Sequence, residues 1–175
     1  MSRPQGYPTK LTPNFSYREM TRSGTAIRHG IDNTPNTDEL ANLIYTAQQL
    51  EKVRAYLNEK HQRPIGIIVS SGFRNERVNT LVKGSKNSAH KLGLAADCDA
   101  TGFTSTQFAQ EIKQMRDKGL IAFDQLILEF PNKGDGAWVH LGFKKDGKGQ
   151  RNQVLTAVKR GEKTVYLQGL QENAK

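Results

Sequence analysis

The sequence predicts an α+β fold in which a mainly antiparallel sheet packs against helices. Three observations predict it: a long apolar pattern at helical spacing, short β-branched segments after it, and two apolar strand patterns joined by a turn. Helices that come first, followed by mostly adjacent antiparallel strands, favour this class over a doubly wound sheet. At 175 residues the chain suits one core, so we expect a single domain over 1–175 with flexible ends.

Two helices are predicted in the first third of the chain. Residues 1–14 look irregular, and Ser16 and Glu19 then match a capping box, which satisfies free amides where a helix begins. A longer helix begins at Thr37, where acidic residues suit the positive end of the helix dipole. Its apolar residues recur at helical spacing and predict a face that packs in the core. They are Leu40, Leu43, Ile44, Ala47, Leu50, Val53 and Leu57.

The next segments alternate between strand and helix. The segment 65–71 is short and rich in β-branched residues, which is typical of a strand, and a polar turn follows it. A second strand is predicted at 94–100. After it, Thr104 caps a helix that carries apolar residues at helical spacing and ends at Gly119.

Two apolar patterns, 123–130 and 137–143, predict neighbouring strands. The segment between them, 131–136, is rich in glycine, proline and asparagine, which favours an antiparallel hairpin. Weaker strand patterns follow at 153–158 and 164–167. Most of the sheet is therefore expected in the second half of the chain.

The chain is strongly basic, with 26 Lys and Arg against 17 Asp and Glu and a formal net charge of +9. The stretch 144–175 alone holds eight basic and three acidic residues. Such a surface attracts polyanions in general, including nucleic acid, anionic lipid head groups and wall polymers. No recognisable reading helix or aromatic platform accompanies the charge, so we expect no specific nucleic-acid binding.

Neither a membrane span nor a disulfide is expected. No apolar run approaches the roughly 20 residues that cross a bilayer, and the polar start lacks the apolar region of a secretory signal. We therefore expect a soluble protein with no signal peptide, made in a reducing cytoplasm. The single cysteine, Cys98, cannot form an intramolecular disulfide. It alternates with Asp97 and Asp99 along a predicted strand, so its side chain is expected in the core.

Three residues form a candidate zinc site. His90 and Asp97 are seven positions apart, and Gly93 between them allows the chain to turn. Strand alternation places His140 on the same face as Trp138. Taken singly, each would be an ordinary surface or hydrogen-bonded residue. Together they offer nitrogen and oxygen donors, which suit Zn²⁺ and, in catalytic sites, leave a fourth position to water.

The combined pattern Ser-x-His-x-x-Gly-x-Ala-x-Asp, followed by Trp-Val-His, resembles the signature of peptidase family M15, the zinc D-Ala-D-Ala carboxypeptidases and endopeptidases. The upstream segments Ser70–Arg74, Val78–Asn79 and Gly84–Ser85 fit the same family. The likeness covers 65–143 well, and 15–54 resembles phage-type members more loosely. It implies a Hedgehog/DD-peptidase-like zinc peptidase fold, in which the His, Asp and His of the pattern bind the metal.

The resemblance also implies an activity, namely hydrolysis of amide bonds in the stem peptides of bacterial peptidoglycan. Phage-type relatives include endopeptidases that lyse cell walls. We therefore expect a monomeric endolysin that stays in the host cytoplasm before lysis and then acts on the wall. The anionic cell-envelope surface is expected as a further partner. A bacterial D-Ala-D-Ala carboxypeptidase and a zinc-containing wall-binding module with little turnover are the alternatives.

The catalytic acid departs from the family pattern. Members often carry an acidic residue three positions before the second histidine, but Ala137 occupies that position here. The nearest acids are Glu129, at the end of the preceding strand, and Asp135, in the turn. Across a hairpin Glu129 can share the face that carries the site, whereas Asp135 is expected in solvent. We therefore expect Glu129 to be the general acid and base, with Asp135 as the alternative.

Other polar residues complete the predicted site. Arg74 matches the family's arginine near the metal, and its guanidinium suits a carboxylate or carbonyl of a peptide substrate, so we expect it to bind substrate and assist catalysis. Ser88, in the loop before the first ligand, is expected to orient a ligand, bind substrate or simply make a turn. Asp99 shares a face with the predicted carboxylate ligand and is a candidate to support it. His29 and His61 lack a partner pattern and are expected at the surface.

Overall fold

A computed structural model describes residues 5–172, which form a six-stranded sheet and five α-helices. The strands are β1 Ile67–Ser71, β2 Ala95–Ala100, β3 Gln125–Glu129, β4 Trp138–Gly142, β5 Gln153–Arg160 and β6 Lys163–Gln168. The α-helices are α1 Tyr17–Thr21, α2 Gly24–Arg28, α3 Thr37–His61, α4 Glu76–Leu81 and α5 Ser105–Asp117. Short 3-10 helices span Ala89–Leu92, Pro131–Gly136 and Lys145–Gly147. The outermost parts of the predicted flexible ends, 1–4 and 173–175, lie outside the described residues.

The strand order is β1-β2-β4-β3-β5-β6, and every pair except one is antiparallel. The mainly antiparallel sheet with helices is thus confirmed, as is the hairpin of β3 and β4. The exception is β5, which runs parallel to β3. Gln125 pairs with both Gly142 and Gln153, because the connection after β4 brings the chain back beside the start of β3. The hairpin pattern in the sequence does not predict this parallel pairing of β5 with β3.

Helix α3 has the predicted start and the predicted apolar face. Asn36 is its N-cap, and it exchanges capping hydrogen bonds with Glu39. Five residues of the predicted stripe are fully buried, while Leu40 and Ile44 are half-buried at its margin. The buried five are Leu43, Ala47, Leu50, Val53 and Leu57. Helix α5 begins after its predicted cap, Thr104, and packs beside α3 on the same face of the sheet.

Two short helices were not predicted. Helices α2 and α4 have five and six residues, which is too short for an apolar pattern at helical spacing to emerge. Helix α1 was predicted, and the Ser16 hydroxyl accepts a hydrogen bond from the Glu19 amide as a capping serine should. Both α1 and α4 lie next to the segment that follows β1: the Met20 carbonyl oxygen of α1 accepts from the Phe73 amide, and α4 begins at Glu76.

The histidine predictions have different outcomes. His29 is exposed, as predicted. His61 was also predicted at the surface, but it is half-buried: its Nε2 lies 3.0 Å from Glu111 Oε1 and its ring lies edge-on to Phe103. Glu111 is 50 positions away from His61 along the chain, so no local sequence pattern could predict the contact. Cys98 is buried in the core, as its strand alternation predicts.

The two faces of the sheet differ in character. One face packs against α3 and α5 and forms the main core, with side chains such as Leu126, Val139 and Leu141 fully buried. The opposite face carries polar residues near its centre and a small apolar cluster beside them. The cluster comprises Ile127, Phe130, Leu155 and Ala157, with Trp138 packed against it. No helix within residues 5–172 has the length and apolar character that a bilayer crossing requires.

Candidate active site

The three predicted metal ligands meet on the polar face of the sheet. Asp97 of β2 and His140 of β4 are directly paired across the two strands, so their side chains project from the same face. His90 reaches them from the 3-10 helix that precedes β2. Gly93 provides the turn between them with φ +71°, and a Cβ there would lie 2.4 Å from the carbonyl oxygen of Glu39. The predicted role of Gly93 is confirmed.

The donor atoms of these side chains form a small triangle. Asp97 Oδ1 lies 2.8 Å from His140 Nδ1 and 3.1 Å from His90 Nε2, and the two nitrogens are 3.2 Å apart. Tetrahedral donors about 2.0–2.1 Å from a zinc ion would be about 3.3 Å from one another. His90 and Asp97 are buried and His140 is half-buried. The donor set and its spacing therefore fit one metal ion.

A backbone carbonyl orients the first ligand. His90 Nδ1 lies 2.7 Å from the carbonyl oxygen of Gly72, and because that oxygen can only accept, Nδ1 carries the proton. The lone pair is then on Nε2, which faces the other ligands. Gly72 lies close to α1: a Cβ there would be 2.2 Å from the carbonyl oxygen of Met20. That same oxygen accepts a hydrogen bond from the Phe73 amide, which fixes the segment.

The protonation states suit a cation. Burial lowers the pKa of His90, which keeps its imidazole neutral at neutral pH. Burial alone would raise the pKa of Asp97, but the adjacent His90 and His140 hold it well below its ordinary range. A neutral imidazole and an ionised carboxylate are the forms that bind metal.

Glu129 lies near the predicted metal ligands, two positions along β3 from the residue that pairs with His140. In the β3–β4 ladder Ile127 is paired with His140 and Glu129 with Trp138, so Glu129 projects from the face that carries the site. Burial raises its pKa to about 7; the Asp97 carboxylate adds to this effect, while His140 and Arg74 oppose it. Glu129 thus lines the same cleft as the predicted metal ligands, as expected from its position across the hairpin.

The alternative acid lies elsewhere. Asp135 is exposed in the turn and lines a different, larger cleft of about 760 Å³ beside the start of α5, together with Ala137. Asp99 lines that second cleft too, and its carboxylate accepts a hydrogen bond from the Ser105 hydroxyl 2.7 Å away. Asp99 was predicted to support Asp97, but within residues 5–172 no hydrogen bond joins the two side chains directly.

Arg74 projects into the cleft from the segment after β1. Its backbone amide donates to the carbonyl oxygen of His90 at 3.1 Å, which ties it to the first ligand. Burial lowers the pKa of its guanidinium, while the carboxylates of Asp97 and Glu129 oppose that shift. Its Nε is buried and has no hydrogen-bond partner within the described part of the chain. A buried donor in this position calls for an acceptor, such as an oxygen of a bound peptide.

A buried asparagine that the sequence did not single out holds the backbone of Arg74. Asn33 Nδ2 donates to the carbonyl oxygens of Phe73, at 3.0 Å, and Thr21, at 2.9 Å. Its Oδ1 accepts from the Asn75 amide at 2.8 Å. Both neighbours of Arg74 are therefore fixed by one side chain. Phe73 is 40 positions from Asn33, so spacing along the chain could not reveal the contact.

These residues share one cleft of about 350 Å³. Ser88, a predicted substrate-binding residue, lines it, and its side chain does not cap the 3-10 helix that follows. Tyr166 of β6 also lines the cleft, although nothing in the sequence marked it. Asp124 and Arg151 lie on the rim and are paired by two hydrogen bonds of 2.8 and 2.6 Å.

Comparison with known proteins agrees with this arrangement. The family model described as Peptidase M15 matches residues 13–128, which is well over half of the chain. The matched region includes Arg74, His90 and Asp97, while Glu129 and His140 follow it. No curated protein matches the chain. The length of the family match shows that this protein belongs to peptidase family M15, a family of metallopeptidases.

Proposed function

We propose that the protein is a zinc-dependent peptidase that hydrolyses amide bonds in the stem peptides of bacterial peptidoglycan. The observation that carries the proposal is the triangle of donor atoms from His90, Asp97 and His140, with separations of 2.8–3.2 Å, in one cleft with Glu129. Membership of the M15 family supports a hydrolase. We infer further that the described residues form one domain of the Hedgehog/DD-peptidase-like type.

The donor set favours zinc among the common divalent ions. Two imidazole nitrogens and one carboxylate oxygen suit zinc, whereas magnesium and calcium prefer sites built from oxygen alone. Three protein donors are also the usual number in catalytic zinc sites. When bound, zinc acts as a Lewis acid that polarises a carbonyl group and makes water more acidic.

Glu129 is the proposed general base and acid. A carboxyl with a pKa of about 7 can accept a proton from water and return it to the leaving amine near neutral pH. Asp124 shares the cleft, but its hydrogen bonds with Arg151 lower its pKa and occupy its oxygens. Among the described residues, Glu129 is therefore the carboxylate of the cleft that is neither a proposed metal ligand nor hydrogen-bonded to an arginine.

Arg74 and Ser88 are the proposed substrate-binding residues. The guanidinium of Arg74 stays charged, and its Nε has no hydrogen-bond partner among residues 5–172. It can therefore hold a carboxylate or carbonyl oxygen of the peptide and stabilise developing negative charge. Ser88 lines the same cleft from the loop before His90. A cleft of about 350 Å³ is near the lower end of the range for small-ligand sites, which favours a short peptide over a folded protein.

The test is the release of new amino groups from purified peptidoglycan. We expect the zinc-loaded protein to release amines, and His140→Ala or Glu129→Gln to reduce the rate at least 100-fold. Two controls match these changes: His29→Ala removes an exposed histidine, and Asp135→Asn neutralises the exposed acid of the turn. Both controls should retain the wild-type rate. A wild-type protein that binds zinc but releases no amines would contradict the proposed hydrolysis and favour a wall-binding module.

We further propose that the enzyme is an endopeptidase of the phage endolysin type. The phage-like pattern of its leading segment and the net charge of +9, which suits an anionic cell envelope, support this role. Mass spectrometry of the digested wall distinguishes the alternatives. Cleavage within the stem or cross-link would agree with an endopeptidase, while loss of terminal D-alanine alone would indicate a carboxypeptidase.

A further inference from the structure

We propose that Tyr166 is a substrate-contacting residue whose phenol donates a hydrogen bond to a peptide carbonyl in the cleft. The inference rests on the proposed function, since it assigns a further hydrogen-bond donor to the same peptide site. Arg74 follows β1 and Tyr166 lies on β6, and these strands are the two edges of the sheet. The two residues therefore approach the ligands from opposite sides.

The strand register places Tyr166 in line with the proposed base. Glu129 of β3 is paired with Ala157 of β5, and Ala157 is paired with Tyr166 of β6. Directly paired residues project from the same face, so all three stand in one row across the sheet. Two strand spacings separate the Cα atoms of Glu129 and Tyr166, which is about 10 Å.

The residue between them leaves room for the aromatic ring. Ala157 has the smallest side chain that an L-residue carries and is fully buried, so the longer Tyr166 can extend over it towards Glu129. Tyr166 is nevertheless 53 % exposed, and it lines the cleft together with His90 and Asp97. Within the described ranges its hydroxyl makes no hydrogen bond. A half-covered aromatic with a free hydroxyl is thus available to a ligand in the cleft.

The phenol remains a donor at the pH where the enzyme would work. Burial raises the pKa of Tyr166, and the carboxylates of Glu129 and Asp97 raise it further. A neutral phenol complements the charged guanidinium of Arg74, because the guanidinium favours an anionic oxygen while the phenol can serve an uncharged amide oxygen. An extended peptide offers both kinds of acceptor.

Two of the other polar side chains in the cleft are already engaged in hydrogen bonds with their neighbours. Gln125 donates to Gln153 at 2.8 Å, and Arg151 donates to Asp124. The family match ends at residue 128, so it gives no information about β6. The assignment of Tyr166 therefore depends on the sheet register and the cleft alone.

The test is Tyr166→Phe, which removes the hydroxyl and keeps the ring. The matched control is Tyr56→Phe on α3, where the lost hydroxyl accepts a hydrogen bond from Lys118 far from the cleft. Binding is measured calorimetrically with soluble muropeptides, on zinc-loaded protein that also carries Glu129→Gln to prevent turnover. We expect Tyr166→Phe to weaken binding and to lower kcat/KM for amine release, each by roughly 10-fold, as the loss of one hydrogen bond predicts. Zinc affinity and the unfolding temperature should not change.

The outcomes separate this inference from the proposed function. If Tyr166→Phe matches Tyr56→Phe in binding and in kcat/KM, Tyr166 does not contact the substrate. A loss in Tyr166→Ala without a loss in Tyr166→Phe would overturn the hydrogen bond, since the ring alone would then matter. If the wild type releases no amines yet Tyr166→Phe weakens muropeptide binding, the hydrolysis proposal fails and the role of Tyr166 stands. Absence of any muropeptide binding would overturn both.

Discussion

His90 donates a hydrogen bond from Nδ1 to the carbonyl oxygen of Gly72, and this contact turns Nε2 towards Asp97 and His140. It joins two separate segments of the predicted family pattern, the Ser-Ser-Gly-Phe-Arg segment and the histidine loop. The Arg74 amide donates a hydrogen bond to the His90 carbonyl oxygen, so the proposed metal ligand and the proposed substrate-binding arginine are fixed together.

Gly72→Ala should weaken both the fold and the metal site. The new Cβ would lie 2.2 Å from the Met20 carbonyl oxygen, so the backbone must shift and carry the carbonyl that orients His90 with it. We expect about 2–3 kcal/mol of lost stability, as for other overpacked sites, and a 10–100-fold loss in zinc affinity. Denaturant unfolding and a zinc titration measure the two effects. Gly66→Ala is the control, because its Cβ would meet nothing closer than 3.5 Å, and equal zinc affinity in the two variants would refute the coupling.

Asn33→Ala should act on substrate binding more than on metal binding. It removes the hydrogen bonds to Phe73 and Asn75 that fix Arg74, while the triangle of metal ligands keeps its contacts. We expect a loss of about 1–3 kcal/mol in stability and a fall of 10-fold or more in kcat/KM, with unchanged zinc affinity. Steady-state kinetics alongside a zinc titration would show this pattern. The exposed Asn132→Ala provides the comparison, and a kcat/KM equal to that of Asn132→Ala would show that Arg74 needs no such clamp.

Glu129 should make the metal-free protein less stable at alkaline pH. Its pKa is about 7 in the fold against 4.5 for an ordinary glutamate, so between these values the unfolded chain releases a proton that the folded chain keeps. The contribution of Glu129 to the free energy of unfolding is fully present below about pH 4.5 and is lost as the pH rises to about 7. Glu129→Gln should therefore be about 2–3 kcal/mol more stable than the wild type at pH 8 and similar at pH 4. Unfolding curves at the two pH values test this, and a difference of the same size for Asp135→Asn would rule out a specific effect of burial.

Basic residues at the β5–β6 turn should bind anionic wall polymers. Arg160 and Lys163 are both exposed there, and no acidic side chain pairs with either of them within the described residues. Replacing both by glutamine should weaken binding to purified walls several-fold at low salt and have little effect at high salt, because exposed charges are screened. Lys10→Gln with Lys52→Gln is the control pair at other exposed positions. Sedimentation of protein with walls at two salt concentrations measures the effect, and identical losses in both pairs would contradict a localised contact.

The parts of the site that sequence could predict are those governed by local rules. Strand alternation places Asp97 and His140 on one face, and a glycine between His90 and Asp97 allows the turn that brings them together. The hairpin of β3 and β4 likewise brings Glu129 to the face of the ligands. Each of these relations spans a few residues or one tight connection.

The parts that could not be predicted depend on contacts between distant segments. Asn33 meets Phe73 across 40 positions, and His61 meets Glu111 across 50. Tyr166 enters the cleft only because β5 returns parallel to β3, which places β6 at the edge of the sheet beside the site. Strand propensity indicates that β5 and β6 exist but not where they pair.

The proposed peptide hydrolysis requires His90, Asp97 and His140 to hold one zinc ion. The most direct measurement is amine release from purified peptidoglycan by metal-free protein as zinc is added in known amounts. We expect that release begins with zinc, reaches its plateau at one ion per chain, and is absent in His140→Ala but retained in His29→Ala. Undiminished release from the metal-free protein, or an unchanged zinc response in His140→Ala, would contradict it.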